Sequence, residues 1–165
     1  MSETSPAELI LERFCGREVH PVVRATWNLY RDEDMERMTL CINLKAGTGT
    51  TLHEDTQELH AKPSWEINLV EPGLVEAMLV SGAEWAVPEG YDESRGGYVT
   101  NFYYCSHEPS DDNHIHILAV DGDRLLLSLS GETIDVNFYD GSKAPTKLFV
   151  KTWFSRDDDT CRSMS

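Results

Sequence analysis

Positive charge is scarce in this chain of 165 residues. It has 14 lysine and arginine residues against 29 aspartate and glutamate residues, so its formal charge is −15 with neutral histidines. Because phosphate recognition needs clustered lysine and arginine, this balance argues against a nucleic-acid-binding protein. The same deficit argues against docking on anionic membranes. The sequence also lacks any run of about 18 apolar residues, so it predicts no membrane-spanning segment.

Cysteine is sparse as well. The four cysteines, Cys15, Cys41, Cys105 and Cys161, are scattered along the chain and form no CxxC pair. The first residues show no basic stretch followed by an apolar one, which a secretory signal would have. These features predict a cytoplasmic protein with four reduced thiols.

Alternation of apolar and polar residues is the dominant pattern. Hydrophobic residues make up 40% of the chain, an ordinary share for a globular domain. After Gly16 the alternation has a period of two, which is typical of half-buried strands separated by turn signals. The pattern predicts an all-β antiparallel sandwich or barrel of about 8–9 strands. The predicted strands cover residues 19–29, 38–44, 65–69, 75–80, 98–107, 114–121, 125–129, 134–138 and 148–154.

Only the amino terminus predicts an α-helix. Ser5 can serve as the N-cap, and Pro6 suits the first helical position. Apolar residues follow at helical spacing as far as Phe14, and Gly16 can end the helix. We therefore expect one helix over residues 6–15.

The domain organisation is simple. No internal repeat, low-complexity tract or shift in composition divides the chain. We expect a single β-rich domain over residues 1–156, which includes the amino-terminal helix. Residues 157–165 are acidic and polar without a pattern, so they predict a flexible tail.

Two predicted connections, 46–63 and 81–97, are too long for simple hairpins. Long loops on a β scaffold are either functional or locally ordered. The second connection contains Trp85 and Tyr91, and aromatic residues on a loop can anchor a protein partner. We expect these two residues to belong to a partner-binding surface.

Cysteine and histidine are concentrated in one short stretch. If residues 108–113 form a hairpin loop, His107 faces His114 across the ladder and Cys105 faces His116. Alternation then places all four side chains on one face of the sheet. Such a group could hold zinc or another transition metal with an open coordination position. The alternative is that these residues only cap a solvent-exposed hairpin.

Two local resemblances bear on function. The segment His114-Ile115-His116 resembles the HxH pair that opens the cupin metal motif, although no later histidine supplies the second motif. Trp153-Phe154, followed by Arg162-Ser163, is similar to a strand of the S-type bilin lyases, which are calycin-like barrels. Those proteins carry a second arginine where this chain has Thr160. The second resemblance implies a barrel that carries a small apolar or tetrapyrrole-like ligand.

Three functions therefore stay open. The leading prediction is a non-enzymatic binding module that engages a protein partner through its long loops, because the sequence contains no complete catalytic set. Its negative charge would steer a basic partner. One alternative is a metal-binding domain or metalloenzyme that uses the Cys/His stretch, and the other is the calycin-like carrier. The leading prediction needs no cofactor, and the sequence leaves the oligomeric state open.

Overall fold

The structure, a computed structural model, describes residues 7–32, 37–50, 60–94 and 96–160. Strands are the predominant secondary structure of these residues, which confirms the predicted all-β class. The strands are β1 (Glu8–Arg13), β2 (Gly16–Asp32), β3 (Arg37–Ala46), β4 (Ser64–Val70), β5 (Glu84–Val87), β6 (Tyr91–Asp92), β7 (Gly97–Tyr98), β8 (Thr100–Tyr103), β9 (His107–Glu108), β10 (Asp111–Asp121), β11 (Arg124–Thr133) and β12 (Thr146–Arg156). Within these ranges no helix has the length and apolar content needed to cross a membrane.

Ten of the strands form one sheet that curls around an apolar core without closing. Their order is β5-β10-β11-β12-β1-β2-β3-β4-β8-β9, and β6 and β7 form a separate two-stranded ribbon. Neighbours in the sheet are antiparallel, and β12 also makes a short parallel pairing with β2 beyond the end of β1. The inward face buries large side chains, among them Trp27, Trp65, Phe102 and Phe154.

Two of the predicted strands are wrong. The segment 75–80 contains a 3-10 helix, Glu76–Met78, whose residues are all exposed. The segment 134–138 follows the end of β11 and forms turns. Its consecutive residues Asp135 and Val136 are both buried, which a half-buried strand does not allow because neighbouring side chains point to opposite faces.

A cluster of buried polar residues connects the strands at the two ends of the sheet order. Trp65 Nε1 in β4 donates to Ser110 Oγ at 3.0 Å, and Ser110 Oγ donates to Asn113 Oδ1 in β10 at 2.7 Å. The Thr100 hydroxyl in β8 donates to the Ser110 carbonyl oxygen at 2.8 Å. All four residues are buried. These hydrogen bonds therefore connect β4 and β8 to β10, where no backbone ladder joins them.

The predicted helix over residues 6–15 is wrong, because the described part of that segment contains β1. Leu9, Leu11 and Arg13 are buried and alternate with more exposed residues, so the period is two. Phe14, which the predicted helix would bury, is 40% exposed. β1 lies between β12 and β2 and pairs with both strands. These pairings outweigh the local helix signals, since tertiary context overrides propensity.

Arg13 joins β1 to distant parts of the chain through a buried ion network. Its guanidinium donates to the two Asp135 oxygens at 3.1 and 2.8 Å and to Glu18 Oε2 at 3.0 Å. The Tyr104 hydroxyl donates to Glu18 Oε1 at 2.7 Å, and the Thr146 hydroxyl donates to Asp135 Oδ1 at 2.9 Å. All five residues are buried. The network therefore connects β1 and β2 with the residues that follow β8 and β11 and with β12.

His20 lies next to Glu18 in this network. His20 Nε2 stands 3.5 Å from Glu18 Oε1, and His20 Nδ1 stands 3.2 Å from the Gly47 carbonyl oxygen. Burial raises the pKa of Glu18, but the contacts with His20, Tyr104 and Arg13 together outweigh it and hold the pKa below its ordinary value of 4.5. The fold therefore stabilises the ionised form of Glu18.

Residues 157–160, predicted as the start of a flexible tail, pack against β2. The Asp157 backbone N–H donates to the Trp27 carbonyl oxygen at 2.9 Å. The hydroxyl oxygens of Thr160 and Thr26 lie 3.0 Å apart, and Thr160 is buried. These four residues therefore contact the sheet, and the remainder of the predicted tail lies outside the described residues.

The prediction of four reduced thiols is also wrong. Cys41, buried in β3, takes part in a disulfide bond. Cys105 carries a free thiol and is exposed in the turn between β8 and β9. A disulfide is more common in oxidising compartments than in the cytosol, so the cytoplasmic location stays a prediction without support from the thiols.

Replacing Arg13 with alanine leaves two buried carboxylates without their shared cation. We expect the free energy of unfolding to fall by about 3–5 kcal/mol. The matched control is Arg17→Ala, because Arg17 forms a 2.7 Å ion pair with Glu12 on the surface. That variant should lose less than about 1 kcal/mol. Urea denaturation measures both losses, and equal losses would contradict the role assigned to the network.

Glu18 should contribute to the acid sensitivity of the fold. Its folded pKa is lowered, so its contribution is present above a pH of about 4.5 and is lost as the pH falls through the folded pKa. Glu18→Gln should therefore lower the free energy of unfolding at neutral pH and weaken its dependence on pH in the acid range. Urea denaturation at a series of pH values measures this. The surface variant Glu12→Gln is the control, and an identical acid dependence in both variants would refute the expectation.

Candidate functional site

The predicted metal site required His107 and His114 to face each other on paired strands, and that pairing is wrong. β9 pairs with β8, so His107 lies opposite Tyr103. β10 pairs with β11 and β5, so His114 lies opposite Ser130 and Ala86. The predicted hairpin loop does not exist, because only two residues separate β9 from β10 and residues 111–113 already belong to β10.

The four predicted ligands consequently do not converge. His114 and His116 share the outward face of β10, and His116 Nδ1 lies 3.7 Å from Glu84 Oε1. Cys105 is exposed in the turn between β8 and β9, and His107 lies in β9 at the other end of the sheet order. Among the described residues, no group of three or more His, Cys, Asp or Glu side chains is placed to hold a metal ion. Binding of zinc or another transition metal stays a prediction with no geometric support.

The two predicted partner anchors take different positions. Trp85 lies in β5 opposite Ile115 and packs half-buried against the core. Tyr91 lies in β6 and is 42% exposed. Its ring meets that of Tyr98 in β7 edge to face, with 5.1 Å between the ring centres. Of the two predicted anchors, only Tyr91 presents its ring to solvent as an anchor would.

A groove of about 510 Å³ opens on the outward side of β4 and β8. β4 buries Trp65 and Ile67 toward the core, so Glu66 and Asn68 point to the opposite face. The groove is lined by hydrogen-bonding and aromatic side chains, among them Glu66, Asn68, Tyr98, Asn101, His107 and Glu108. Surface concavities with a few convergent polar groups are the usual places for ligand binding.

Strand register places Glu66, which lines this groove, between two asparagines of the neighbouring strands. Asn43 of β3 and Asn101 of β8 lie directly opposite Glu66 on either side, so the three side chains share one face. Asn43 Nδ2 donates to Glu66 Oε1, and Asn68 Nδ2 donates to Glu66 Oε2, both at 3.4 Å. The carboxylate of Glu66 is thus held in place by two side-chain amides.

The environment of Glu66 disfavours its charge. The residue is only 7% exposed. Burial raises the pKa of Glu66 above its ordinary value of 4.5 by more than the hydrogen bonds from Asn43 and Asn68 lower it. Ionisation of this carboxyl group therefore lowers the stability of the folded protein. A carboxyl group with such an effect is a candidate for a functional role.

The wall of the groove next to Glu66 is formed by β8 and β9. His107 Nδ1 lies 2.9 Å from the Asn101 side-chain nitrogen and 3.2 Å from the Asn101 side-chain oxygen, and the His107 ring centre lies 4.8 Å from that of Tyr103. Tyr98, at the end of β7, is 67% exposed. The groove therefore combines a polar floor with an accessible aromatic ring.

A second groove of about 610 Å³ lies on the other side of the β6–β7 ribbon. Tyr91 lines this second groove and Tyr98 lines the first, while Asn68 contributes to both. The two tyrosines, whose rings meet edge to face, thus stand between two concave surfaces. We call the ribbon and the two grooves the tyrosine face.

A larger cavity of about 850 Å³ lies between β2 and β12, beside the short parallel pairing of the two strands. Its arginines are already engaged, since Arg24 is paired with Asp157 and Arg156 with Glu76. The Arg156 guanidinium also lies 4.9 Å from the centre of the Trp27 ring. These internal contacts make this cavity a weaker candidate than the tyrosine face.

Sequence reasoning missed Glu66, Asn68 and Asn101. Glu66 and Asn68 stand at the polar positions of the predicted strand 65–69, next to Trp65 and Ile67, and Asn101 lies in the predicted strand 98–107. The sequence signal that could have drawn attention to them is the recurrence of amides at outward strand positions. That signal becomes specific only when the strand register is known, because the three residues meet across β4 and β8.

No protein-family model, curated protein or solved structure matches this chain. The local resemblances to cupins and to S-type bilin lyases therefore lead to no family assignment.

Glu66→Gln should not destabilise the protein at neutral pH. Because the folded pKa of Glu66 is raised, wild-type stability falls as the pH rises from about 4.5 through that folded pKa. Glutamine carries no charge, so the variant should be at least as stable as wild type at pH 7 and should lack this fall. Urea denaturation between acid and neutral pH measures the effect, with Glu18→Gln as the comparison of opposite sign. A loss of stability at pH 7 similar to that of Glu18→Gln would contradict this account.

Proposed function

We propose that the protein is a non-enzymatic binding module that recognises a basic protein partner through the tyrosine face. The observation that carries the proposal is the pair Tyr91 and Tyr98, exposed and in ring contact between two grooves. Tyrosine supplies a large contact area with few rotatable bonds, which is why it is enriched among residues that dominate binding energy.

The ribbon that carries these tyrosines is anchored at its base. The Val99 N–H donates to the Gly90 carbonyl oxygen at 2.7 Å, and the Gly90 N–H donates to Asp111 Oδ1 at 2.8 Å. Gly90 is packed so tightly that a Cβ atom would lie 2.4 Å from Thr100 Oγ1 and 2.6 Å from the Ser110 carbonyl oxygen. Because this anchoring restrains the ribbon before a partner binds, the ribbon loses less conformational entropy on binding. This supports a recognition role.

The charge of the chain supports a basic partner. The formal charge of −15 creates a negative field over a molecule of this size. Such a field accelerates the approach of positively charged partners and disfavours acidic ones. Two carboxylates, Glu66 and Glu108, lie within the first groove itself.

The carrier alternative receives less support from the described residues. Packed side chains such as Trp27, Trp65 and Phe154 fill the concave side of the sheet, where a calycin-like carrier would hold its ligand. The metal-dependent alternative has no converging ligand set among these residues. We therefore favour the binding module over both.

Affinity capture should test this function directly. The protein is immobilised and exposed to an extract of the organism that encodes it, and retained proteins are identified and eluted with increasing salt. We expect a basic protein to be retained by the wild type, lost in the double variant Tyr91→Ser/Tyr98→Ser, and released by salt because part of the attraction is electrostatic.

The matched control is Phe149→Ser, which removes a ring that is 41% exposed on the outward side of β12. It should retain the same partner as the wild type. If the double variant retains that partner equally well, or if Phe149→Ser loses it to the same extent, the tyrosine face is not the recognition surface.

A further inference from the structure

We infer that the partner inserts an extended basic segment of its own chain into the second groove of the tyrosine face, where this segment adds a strand to the free edge of β5. This inference rests on the proposed function and assigns the form and the charge of the part of the partner that binds. Three observations support it: the gap in the sheet, the unpaired backbone groups that border the gap, and the charge of its lining.

The second groove lies where the sheet does not close. β5 is the first strand in the sheet order and pairs only with β10, so among the described residues its other edge has no strand beside it. The groove is lined on one side by residues 86–89, from the end of β5, and on the other by residues 68–71, from the end of β4. An extended segment placed there would continue the sheet from β5 toward β4.

Strand geometry turns the backbone of Ala86 toward this open edge. In an antiparallel pair, residues that exchange backbone hydrogen bonds with the neighbouring strand alternate with residues whose N–H and C=O groups point away from it. The Ile117 N–H donates to the Ala83 carbonyl oxygen at 2.9 Å, in the same register as the pairing of β5 with β10. Trp85 therefore bonds toward β10, and the N–H and C=O groups of Ala86 face away from it. Ala86 is exposed.

The end of β4 presents a matching backbone. β4 pairs with β8 as far as Ile67, and the Asn68 N–H then donates to the Val99 carbonyl oxygen at 2.7 Å. The same alternation points the N–H and C=O groups of Val70 to this side, where the chain has already entered the β6–β7 ribbon. Val70 and Ala86 both line the groove, and the described residues give neither a backbone partner on that side. Such unpaired edges are matched by the backbone of another extended chain.

The lining of the second groove is acidic. Glu71 is half-buried, Glu89 and Glu93 are exposed, and the described lining residues include no lysine or arginine. Basic side chains of a bound segment would be attracted by these carboxylates and by the negative field of the whole chain. Leu69 and Val87 are buried residues of the same lining. Because neighbouring side chains of a strand point to opposite faces, we expect the segment to alternate basic and apolar residues.

The short length of β5 favours a segment of a partner over a second copy of this chain. β5 has four residues, and Pro88 follows it directly. A short edge next to proline is a common protection against pairing between the sheets of two copies. A single extended segment can pair over about four residues without bringing a whole sheet to the edge.

The test uses three capped hexapeptides. The first is acetyl-(Lys-Val)₃-amide, the second has the same side chains but carries methyl groups on the backbone nitrogens of its valines, and the third is acetyl-(Glu-Val)₃-amide. Each peptide is titrated into the 165-residue protein labelled with ¹⁵N. Nuclear magnetic resonance measures the affinity and the hydrogen-exchange rates of the Ala86 and Val70 N–H groups. The Trp85 N–H, which bonds toward β10, is the internal control.

We expect the lysine–valine peptide to bind and to slow exchange at Ala86 and Val70. At a peptide concentration ten times the dissociation constant, both rates should fall by about tenfold, because only about one protein molecule in eleven is then unbound. The rate at Trp85 should change much less. The methylated peptide should bind about fivefold more weakly or worse, since it lacks the donors for one edge. The glutamate–valine peptide should also bind more weakly, because the lining repels it.

Ala86→Pro is a variant that blocks the edge and leaves the charge of the groove unchanged. Proline lacks the N–H, but this group does not bond to β10, so the edge strand should tolerate the change. The variant should weaken binding of the lysine–valine peptide by about fivefold or more, the effect of one backbone hydrogen bond. Ala86→Val keeps the N–H, and as the matched control it should bind as the wild type does. If Ala86→Pro does not fold, the methylated peptide and the exchange rates of the wild type still decide the question.

Several results would overturn the inference. They are a failure of the lysine–valine peptide to bind, equal affinity for the methylated or the acidic peptide, unchanged exchange at Ala86 in the saturated protein, and equal binding by Ala86→Pro and Ala86→Val. Exchange at Ala86 that slows when the protein alone is concentrated would place a second copy on the edge, and this would also overturn the inference.

Failure of this inference differs from failure of the proposed function. A partner that needs Tyr91 and Tyr98 but binds Ala86→Pro as tightly as the wild type would contradict only the added strand. A lysine–valine peptide that protects Ala86, without any tyrosine-dependent partner, would support the added strand and contradict the proposed function.

Discussion

The fold depends on one arginine that brings together segments far apart in the sequence. Arg13 lies between two buried carboxylates, Glu18 and Asp135, which are 5 and 122 positions away along the chain. Removing three ionised groups from water is unfavourable unless they meet with good geometry and additional hydrogen bonds. This requirement is met with β1 between β12 and β2, and the other strands of the sheet lie on either side of these three. The tyrosine face lies near the end of that order, on β4, β8 and the ribbon that precedes β8.

Alternation with a period of two predicted the fold class, because it reports directly which side chains alternate between core and solvent. It failed where long-range contacts decide the outcome. In β1 the capping signals and helical spacing are real, but Arg13 needs a buried position that only a central strand provides here. In β2 the pairing with β3 shifts register between Val22 and Arg24. The buried side chains before the shift include Glu18 and His20, and those after it include Trp27. Local patterns contain no information about such a bulge.

The candidate site was harder to predict than the fold. The metal prediction assumed that His107 and His114 lie on the two strands of one hairpin. In the structure β9 pairs with β8, whereas β10 pairs with β11 and β5. Tyr91 was identified because it is an aromatic residue on a long predicted connection. Glu66 obeys its pattern, so nothing in the local sequence separates it from a solvent-facing glutamate. Its burial arises only when β3 and β8 pack on either side of β4.

These observations describe a rigid acidic scaffold with one outward surface that combines exposed tyrosines with a buried carboxylate. We propose that the partner binds at this surface. The most direct measurement is a map of amide chemical-shift changes in the isotope-labelled protein on addition of the captured partner. The account predicts that the largest changes fall on residues 66–71, 86–94, 97–101 and 107–108. Changes concentrated on β10, β11 and β12, or around the cavity between β2 and β12, would contradict it.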